Sequence, residues 1–422
     1  MNSFLSLLLF SSLFILTLSH NNGVARTPPM GWNSWNQFAC NIDQDLLTDT
    51  IDQIVSSGLA DAGYKFVNID DCWSYKNGRD NKTNELIPDP VRFSRGIHSL
   101  SKYAHSKGVK LGIYGDVGFT TCAGYPGTLD HFQTDADTFA RWEIDYLKLD
   151  FCDIPKKVQD EPWVYFGYMS EALNKTGRPI VFSICAWQPK EMYKWARKIG
   201  NSWRTTDDIN VSWQSVLSII DQNRELYPYA EPGSWNDPDM LEVGVVRDGR
   251  SLSQNQARTH FSLWTLLSAP LLLGNDLRKI RDPDQKWVFD ILTNRDAIAV
   301  NQDPNGAQGR SLYQNIQGKI DRDGNCESKN CTRTEVWGRP LTRPTKQSYA
   351  AILFNRAGPN VDDEKFTQEK ITIRWSSLGM PSDAKVRVKD IWSNKDLGVY
   401  QGSFTSEPVE KHNVVYIRLE QQ

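Results

Sequence analysis

The sequence predicts a (β/α)8 TIM barrel followed by a C-terminal antiparallel β-sandwich domain. Two observations support this fold class. From Arg26 to Pro304, short apolar strands alternate with helical patterns, and about eight candidate strands fit into about 270 residues. After Pro304, the content of Gly, Asn, Asp, Pro and Thr rises and short alternating runs appear. We therefore divide the chain into a catalytic barrel at residues 26–304 and a β domain at residues 305–422.

The barrel strands are apolar segments of strand length, several of which end in polar residues. The clearest are Lys65–Asp70, Lys110–Tyr114, Tyr146–Asp150, Ile180–Cys185 and Pro270–Leu273. Helical spacing lies between them, as in the apolar positions from Leu46 to Val55, and Gly58 can end that helix. An open doubly wound sheet is the alternative, but no Gly-rich nucleotide fingerprint follows an early strand.

Five alternating runs in the C-terminal region predict the β domain, because turn residues separate them. They are Glu335–Trp337, Ser348–Phe354, Lys370–Trp375, Lys385–Ile391 and Val414–Leu419. The sequence contains no internal repeat and no low-complexity tract.

The N-terminus predicts a secretory signal peptide, residues 1–19. Leu5 to Leu18 is a short apolar run, and small residues follow it, with cleavage possible as late as Ala25. A membrane anchor is the alternative, but about 15 apolar residues are too few to span a bilayer comfortably. No later stretch is apolar enough to span. We therefore expect a secreted protein or one of the secretory pathway (extracellular, lysosomal or vacuolar).

Seven cysteines in such a chain predict disulfides. Cys40, Cys72, Cys122 and Cys152 lie in the first half of the chain. Cys326 and Cys331 are close enough to clip a small loop, which leaves Cys185 as a buried free thiol. Glycosylation sequons begin at Asn81, Asn174, Asn210 and Asn330.

Composition narrows the function classes. The net charge of −3 offers no basic patch for nucleic acid. The six histidines form no ligand-spaced cluster, so we expect no metal and no cofactor, and a metal-dependent hydrolase is disfavoured. Fifteen tryptophans are many, and some of their rings can stack on sugars. A homodimer is left open.

Carboxylates end several predicted strands, at the face where barrel enzymes carry their reacting groups. Asp70 and Asp71 end one strand, Asp116 follows another, and Asp150 ends a third. Lys148 lies two residues before Asp150, hence on the same strand face, and should keep Asp150 ionised for use as a nucleophile. A single Lys-x-Asp is more often a structural ion pair, so the prediction depends on the several carboxylates together.

Glycoside hydrolysis needs a second carboxyl group, protonated so that it can donate to the leaving oxygen. Asp207 and Asp208 in Ser202–Ile209 are candidates, as are Asp237 and Asp239 in Trp235–Met240. Physical reasoning alone does not choose among these four.

Several motifs resemble those of the α-galactosidases of glycoside hydrolase family 27. They are Met30–Trp35 (MGWNSW), Asn68–Trp73 (NIDDCW), Cys122–Gly127 (CAGYPG), Tyr146–Asp150 (YLKLD), Trp203–Ile209 (WRTTDDI) and Trp235–Met240 (WNDPDM). The resemblance runs from about Arg26 to Gln302 and continues more weakly through the β domain. It implies a barrel with a C-terminal β domain and hydrolysis of terminal α-galactosyl residues with retention.

Position by position, the resemblance makes Asp150 the nucleophile and Asp208 the acid/base. The implied substrate-binding residues are Asp70 and Asp71 (the 4- and 6-hydroxyls), Lys148 (the 3-hydroxyl), Arg204 (near the 2-position), Trp32 and Tyr114 (pocket walls), Asp239 (pocket floor), and the run Cys185, Ala186 and Trp187. The resemblance also implies disulfides Cys40–Cys72 and Cys122–Cys152.

One position departs from the family pattern. Galactose-specific members often carry Cys-Glu-Trp where this chain has Cys185-Ala186-Trp187. Ala186 cannot hydrogen-bond a 2-hydroxyl and leaves space, as in the related α-N-acetylgalactosaminidases. That activity is therefore the first alternative to α-galactosidase, with β-L-arabinopyranosidase a more distant one. A non-catalytic sugar-binding protein is a further alternative, although both carboxylates are present.

Overall fold

The computed structural model describes residues 22–186, 191–317, 319, 332–342, 347–356 and 368–422. Four features expected from the sequence lie outside the described residues. These are the signal segment 1–19, Trp187, the Cys326 and Cys331 pair, and Asn330. Within the described residues, no helix is both long and apolar enough to cross a membrane.

Eight parallel strands form the barrel, which confirms the predicted fold class. They are β1 Met30–Asn33, β2 Phe66–Asn68, β3 Lys110–Asp116, β4 Tyr146–Asp150, β5 Val181–Ile184, β6 Ser202–Arg204, β7 Trp235–Asp237 and β8 Leu271–Leu273. Neighbours in the sheet are consecutive in sequence, and β8 pairs with β1.

The ring is completed between β7 and β8 by the chain that follows β7. Leu241 bridges to Leu273 in parallel, and its N–H donates to the Leu272 carbonyl at 2.8 Å. The chain after β7 is therefore joined to β8 by a single bridge. Every other pair of neighbouring barrel strands shares a ladder of two or more paired residues. We call this junction the β7–β8 seam.

Helices follow the strands and cover the outside of the barrel. They are α1 Trp35–Phe38, α2 Gln44–Ser56, α3 Leu59–Ala62, α4 Ile97–Ser106, α5 Phe132–Arg141, α6 Lys156–Asp160, α7 Pro162–Lys175, α8 Tyr193–Ala196, α9 Trp213–Asn223, α10 Gln254–Leu266, α11 Lys286–Leu292 and α12 Arg295–Asn301.

The local sequence explains where these helices begin and end. Helix α2 begins after Asp43, whose carboxylate accepts the Leu46 N–H at 2.8 Å. Helix α10 begins with a reciprocal capping box between Ser253 and Gln256. The predicted stop at Gly58 is close to the observed one, because Ser57 caps α2 and Gly58 turns with φ 88°.

The C-terminal region is antiparallel, as predicted. Its strands are β9 Arg310–Gln317, β10 Thr332–Leu341, β11 Ser348–Asn355, β12 Gln368–Glu369, β13 Thr372–Arg374, β14 Lys385–Asp390, β15 Asp396–Gln401, β16 Ser403–Thr405, β17 Val409–Glu410 and β18 Val414–Gln421. Six of them form one sheet in the order β15-β14-β18-β11-β10-β9, and two small sheets pair β12 with β17 and β13 with β16.

A buried ion network fastens this region to the barrel. Glu335 on β10 is fully buried and contacts Arg333 at 2.9 Å, Arg356 at 3.1 Å and Arg224 at 3.1 Å. Asp221 on α9 also contacts Arg356. Because α9 belongs to the barrel and β10 to the sheet, the network fixes one against the other.

Candidate active site

The strand-end carboxylates meet at one cavity of about 290 Å³. It opens at the carboxyl ends of the barrel strands, where the strand-end rule places a site. Its lining residues are Trp35, Asn36, Asp70, Asp71, Tyr114, Cys122, Lys148, Asp150, Arg204, Asp208, Ile209, Asp239, Met240 and Arg247. We call it the catalytic pocket.

Asp150 is the last residue of β4 and is 7% exposed. One carboxylate oxygen accepts the Phe151 N–H at 2.9 Å and the other accepts the Tyr114 hydroxyl at 3.0 Å. Burial raises the pKa of Tyr114 well above its ordinary value, so its hydroxyl remains a donor. Two fixed donors thus orient a carboxylate that still borders the pocket.

The direct partner of Lys148 is Asp70, on the neighbouring strand end. The ammonium lies 2.9 Å from the Asp70 Oδ2 and over the Tyr114 ring. Burial opposes the charge of Lys148, but the Asp70 carboxylate raises its pKa well above the ordinary value. Lys148 lowers the pKa of Asp150, as expected, yet burial outweighs it and leaves that pKa raised. Lys148 therefore favours the ionised form of Asp150, as expected, and burial works against it.

Asp70 and Asp71 are held in different ways. Asp70 accepts the Asn33 amide at 2.8 Å and the Asp71 N–H at 2.9 Å. Asp71 accepts the Thr121 hydroxyl at 2.8 Å and the Ala123 N–H at 2.9 Å. Burial raises the pKa of Asp71 despite these bonds. The loop after β3 therefore fixes Asp71, whereas the strand ends fix Asp70.

Arg204, the last residue of β6, joins two further carboxylates. Its guanidinium lies 3.0 Å from Asp208 and 3.0 Å from Asp239. The Asp208 side chain is 76% exposed at the pocket rim. Burial opposes its charge, but Arg204 lowers the pKa of Asp208 below the ordinary value. Arg204 therefore favours the ionised form of Asp208, whereas a proton donor to the leaving oxygen must be protonated.

Asp239 adopts a left-handed backbone conformation, with φ 79°. Such a conformation costs a non-glycine residue about 1 kcal/mol or more. Its carboxylate accepts the Met240 N–H at 2.7 Å and the Ile209 N–H at 2.8 Å, and its carbonyl accepts the Trp264 indole at 2.7 Å. These bonds hold the strained turn and direct the carboxylate at Arg204.

The other carboxyl candidates lie elsewhere. Asp207 is exposed and does not line the catalytic pocket. Asp237 is buried and borders a smaller void beneath the pocket, where burial raises its pKa to about 6. The structure thus brings Asp208 and Asp239, and neither of these two, to the cavity that Asp150 lines.

Both disulfides implied by the family resemblance, Cys40–Cys72 and Cys122–Cys152, are present. The second bridges the loop after β3 to the residue that follows Phe151. The same two loops touch at Gly118, where an added Cβ would lie 2.0 Å from the Cys152 carbonyl oxygen. Close backbone contact and a covalent bond therefore hold this loop beside Asp150.

Asp116 lies beneath this bridge and is fully buried. It accepts the Gly118 N–H at 2.6 Å and the Cys152 N–H at 2.8 Å. Burial and the nearby Asp150 raise the pKa of Asp116 to about 8. Asp116, Asp150 and the two sulfurs lie within 4.8 Å of one another, as in a metal site. Because those sulfurs form a disulfide, they are not thiolate ligands, and the donor set does not fit a metal.

The aromatic walls differ in part from expectation. Tyr114 lines the catalytic pocket, but Trp32 does not. Trp32 is fully buried, and its indole donates to the Asn275 carbonyl at 2.8 Å. Trp35, three residues later in the same MGWNSW motif, lines the pocket instead. Sequence reasoning also missed Asn36, Met240 and Arg247, although the first two belong to or adjoin quoted motifs.

Cys185 and Ala186 are buried at the end of β5. Cys185 is a free thiol whose sulfur lies 3.8 Å from an Arg204 nitrogen, and burial raises its pKa well above the ordinary value. It borders the smaller void beneath the pocket. Neither residue lines the catalytic pocket, so the structure does not by itself bring Ala186 to a bound sugar.

The arrangement is suited to acid/base and nucleophilic chemistry on a polyhydroxylated ligand. Asp150 is a buried, oriented carboxylate, and Asp208 is a second one on the same cavity. Asp70, Lys148 and Asp239 add charged groups that can bond hydroxyls. Two carboxyl groups facing one cavity are what glycoside hydrolysis requires.

Comparison with known proteins assigns both parts of the chain. Residues 27–303 match the family model described as Alpha galactosidase A, and residues 332–419 match the Alpha galactosidase C-terminal beta sandwich domain. The chain is 44% identical to Alpha-galactosidase 3 of Arabidopsis thaliana over 397 residues, covering 94% of this chain and 82% of the relative.

Two further relatives represent the two substrate classes that the sequence leaves open. The chain is 43% identical to the Alpha-N-acetylgalactosaminidase of Gallus gallus, covering 89% of this chain and 88% of the relative. Its fold matches the crystal structure of α-galactosidase I from Mortierella vinacea with a TM-score of 0.82 and 32% identity, covering 95% and 98% of the two chains. The chain therefore belongs to the α-galactosidase (melibiase) family, glycoside hydrolase family 27.

Proposed function

We propose that this chain is a retaining exo-α-galactosidase, with Asp150 as nucleophile and Asp208 as acid/base. One observation carries the proposal: Asp150 and Asp208 line the same catalytic pocket, and charged side chains suited to sugar hydroxyls surround them. The α-galactosidase relatives support the substrate class. A pocket of about 290 Å³ is also consistent with removal of single terminal sugars.

The charged groups on one side of the pocket give a physical basis for galactose selection. Asp70 and Asp71 are acceptors for hydroxyl donors, and Lys148 is a donor fixed by its ion pair with Asp70. We assign the two carboxylates to the axial 4-hydroxyl and the 6-hydroxyl, and Lys148 to the 3-hydroxyl. A sugar with an equatorial 4-hydroxyl would direct that donor away from the carboxylates and lose a charge-assisted hydrogen bond, which disfavours its binding.

The reaction follows from the two carboxyl roles. Asp150 attacks the anomeric carbon, the bond from that carbon to the leaving oxygen breaks, and Asp208 transfers its proton to that oxygen. A water molecule then attacks the anomeric carbon, gives its proton to Asp208, and displaces Asp150. Two inversions restore the α configuration.

The surroundings of the two groups set a condition on the first step. Asp150 must be ionised, although burial raises its pKa, and Asp208 must be protonated, although Arg204 lowers its pKa. The reactive form has Asp150 ionised and Asp208 protonated, and it is a minority of the molecules in acidic solution. It is lost at higher pH, where both carboxyl groups are ionised.

The substrate class is tested by comparing kcat/KM on three nitrophenyl glycosides. We expect the α-galactoside to exceed both the α-N-acetylgalactosaminide and the β-L-arabinopyranoside. Ala186 and the 43% identical α-N-acetylgalactosaminidase favour the second substrate as the alternative. A higher kcat/KM on the N-acetyl substrate would replace the galactosidase assignment with that alternative, and binding without turnover of any substrate would indicate a lectin.

The two carboxyl roles are tested by azide rescue of Asp150→Ala and Asp208→Ala. Each substitution should lower turnover, by about 10⁴-fold for Asp150 and about 10²- to 10⁴-fold for Asp208. Azide should enter the space left by Asp150 and give the β-galactosyl azide. In Asp208→Ala it should attack the glycosyl-enzyme from the other face and give the α-galactosyl azide. Asp207→Ala is the matched control and should retain activity. The same azide anomer from both variants would refute the assignment.

The protonation condition predicts a pH profile that depends on the leaving group. For an ordinary galactoside, kcat/KM should fall as the pH rises above the pKa values of both carboxyl groups, because Asp208 then has no proton for the leaving oxygen. A dinitrophenyl galactoside needs no such proton, so its kcat/KM should rise with ionisation of Asp150 and then stay level. The pH profile of kcat/KM for Asp208→Ala on the dinitrophenyl substrate should have the same shape as that of the wild type on this substrate. An equal fall of kcat/KM with rising pH for both substrates in the wild type would exclude Asp208 as the acid.

We also propose that the chain enters the secretory pathway and is cleaved after Ser19. The two disulfides support an oxidising compartment. Asn81, Asn174 and Asn210 are exposed, as glycan acceptors must be. The Asn22 amide donates to the Ile180 carbonyl at 2.9 Å, and the Ala25 carbonyl accepts the Trp235 indole at 2.8 Å. Cleavage after Ala25 would remove both contacts.

N-terminal sequencing of the secreted protein tests this cleavage site. We expect the mature chain to begin at His20. A mature chain that begins at Arg26 would contradict the argument from Asn22 and Ala25, whereas a retained Met1 would contradict the signal peptide itself.

A further inference from the structure

A second cavity of about 240 Å³ adjoins the catalytic pocket. Three residues line both cavities: Asn36, Ile209 and Arg247. Ile209 directly follows Asp208, whose role is to protonate the leaving oxygen. The second cavity therefore lies on the side of the pocket toward which a leaving group is directed, and we call it the side cavity.

A tight hairpin in the chain that follows β7 forms one wall of the side cavity. Arg247 and Arg250 pair across it, with N–H to carbonyl bonds of 3.1 and 2.9 Å. Asp248 and Gly249 make the turn, with φ 52° and 71°. Residues directly opposite in such a pair project to the same face, and like charges there destabilise the hairpin. The stability of the hairpin therefore does not explain why two exposed arginines occupy these positions.

Neither arginine is neutralised by a protein carboxylate. Among the residues that the structure describes, Arg247 and Arg250 have no ion-pair partner within 4.0 Å. Glu242 also lines the side cavity, and Arg247 is close enough to lower its pKa, but burial outweighs this and raises that pKa to about 8, so Glu242 is neutral in acidic solution. Asp248 is then the one charged acid against two guanidiniums in this lining.

The described lining of the side cavity also lacks an aromatic side chain on which a neutral sugar ring could stack. Its remaining members are Asn210 and Val211. An excess positive charge without a stacking surface favours an anion over an uncharged ring.

We propose that the side cavity is a leaving-group subsite that binds an anionic oxygen group, a carboxylate or a phosphate, through Arg247 and Arg250. The subsite rests on the proposed galactosidase function and adds to it a class of substrate: α-galactosides whose aglycone carries negative charge close to the glycosidic oxygen. Guanidinium groups match both anions through paired N–H donors.

The test compares charged and neutral leaving groups on the wild-type enzyme. Four nitrophenyl α-galactosides are used, which carry a carboxylate, its methyl ester, a phosphonate or its dimethyl ester at the same ring position. We expect kcat/KM for at least one charged substrate to exceed that of its ester by about fivefold at low salt. The ratio should approach one at about 0.5 M NaCl, where ion pairs are screened. The carboxylate and phosphonate arms identify which anion is preferred.

Variants assign the preference to the two arginines. In Arg247→Gln and Arg250→Gln, the ratio of charged substrate to ester should fall toward one, and Arg250→Lys should retain part of it. Arg95→Gln is the matched control, because Arg95 is an exposed arginine that pairs with Asp45 away from both cavities. It should leave the ratio unchanged. Because each ratio is internal to one protein, a general loss of activity does not alter it.

Two outcomes overturn the subsite. One is a wild-type ratio near one at low salt for both anions, and the other is a preference that survives in both glutamine variants. Since a glycan on Asn210 would lie at the rim of the side cavity, the wild-type comparison is repeated in Asn210→Gln, and a ratio near one in both backgrounds counts against the proposal. Hydrolysis of the neutral esters reports the proposed function separately, so failure of the subsite and failure of galactosidase activity are distinguishable.

Discussion

The ion pair between Lys148 and Asp70 is the constraint on which the geometry of the catalytic pocket depends. It joins the ends of β4 and β2, two strands that are not adjacent, across the top of the barrel. Asp70 is in turn bonded to Asn33 on β1, and Lys148 lies against the Tyr114 ring on β3. Four strand ends are thereby held in one register. Without Asp70, Lys148 would lose its direct ion-pair partner in a largely buried position, which is destabilising.

Residue spacing is sufficient to predict much of this arrangement. Strand periodicity, together with the rule that barrel sites lie at strand ends, identifies Asp70 and Asp150 from the sequence, because the ends of parallel strands meet at one face of the barrel. The family resemblance then selects Asp208 over Asp207. Local physics cannot make that choice, since neighbouring residues in an irregular loop can face opposite ways and only tertiary packing decides between them. The same limit explains Trp32 and Trp35, of which the structure brings only the second to the pocket.

Ion-pair partners that are distant in the sequence cannot be predicted from it for a related reason. A lysine two residues from a carboxylate has an obvious local partner, yet Lys148 bonds a carboxylate 78 positions away. Arg204 likewise lowers the pKa of Asp208, although a general acid was expected to have a raised pKa. Lys148 and Asp70 lie at the ends of different strands, and in both cases the charge of the partner outweighs burial and decides the sign of the pKa shift. The sequence therefore identifies the carboxylates of the pocket better than it predicts their protonation.

The β7–β8 seam has a consequence for how such an enzyme can diversify. A barrel strand that is held by a full ladder cannot change length without disturbing its neighbours, but the chain after β7 is tied to β8 at the single bridge of Leu241. Beyond that bridge, the hairpin at Arg247 can lengthen, shorten or exchange its charges while Asp239, on the near side, stays fixed. Changes in this hairpin can therefore alter the side cavity while the carboxylates at the strand ends are kept, and Arg247, which lines both cavities, is the point at which such changes would also reach the catalytic pocket.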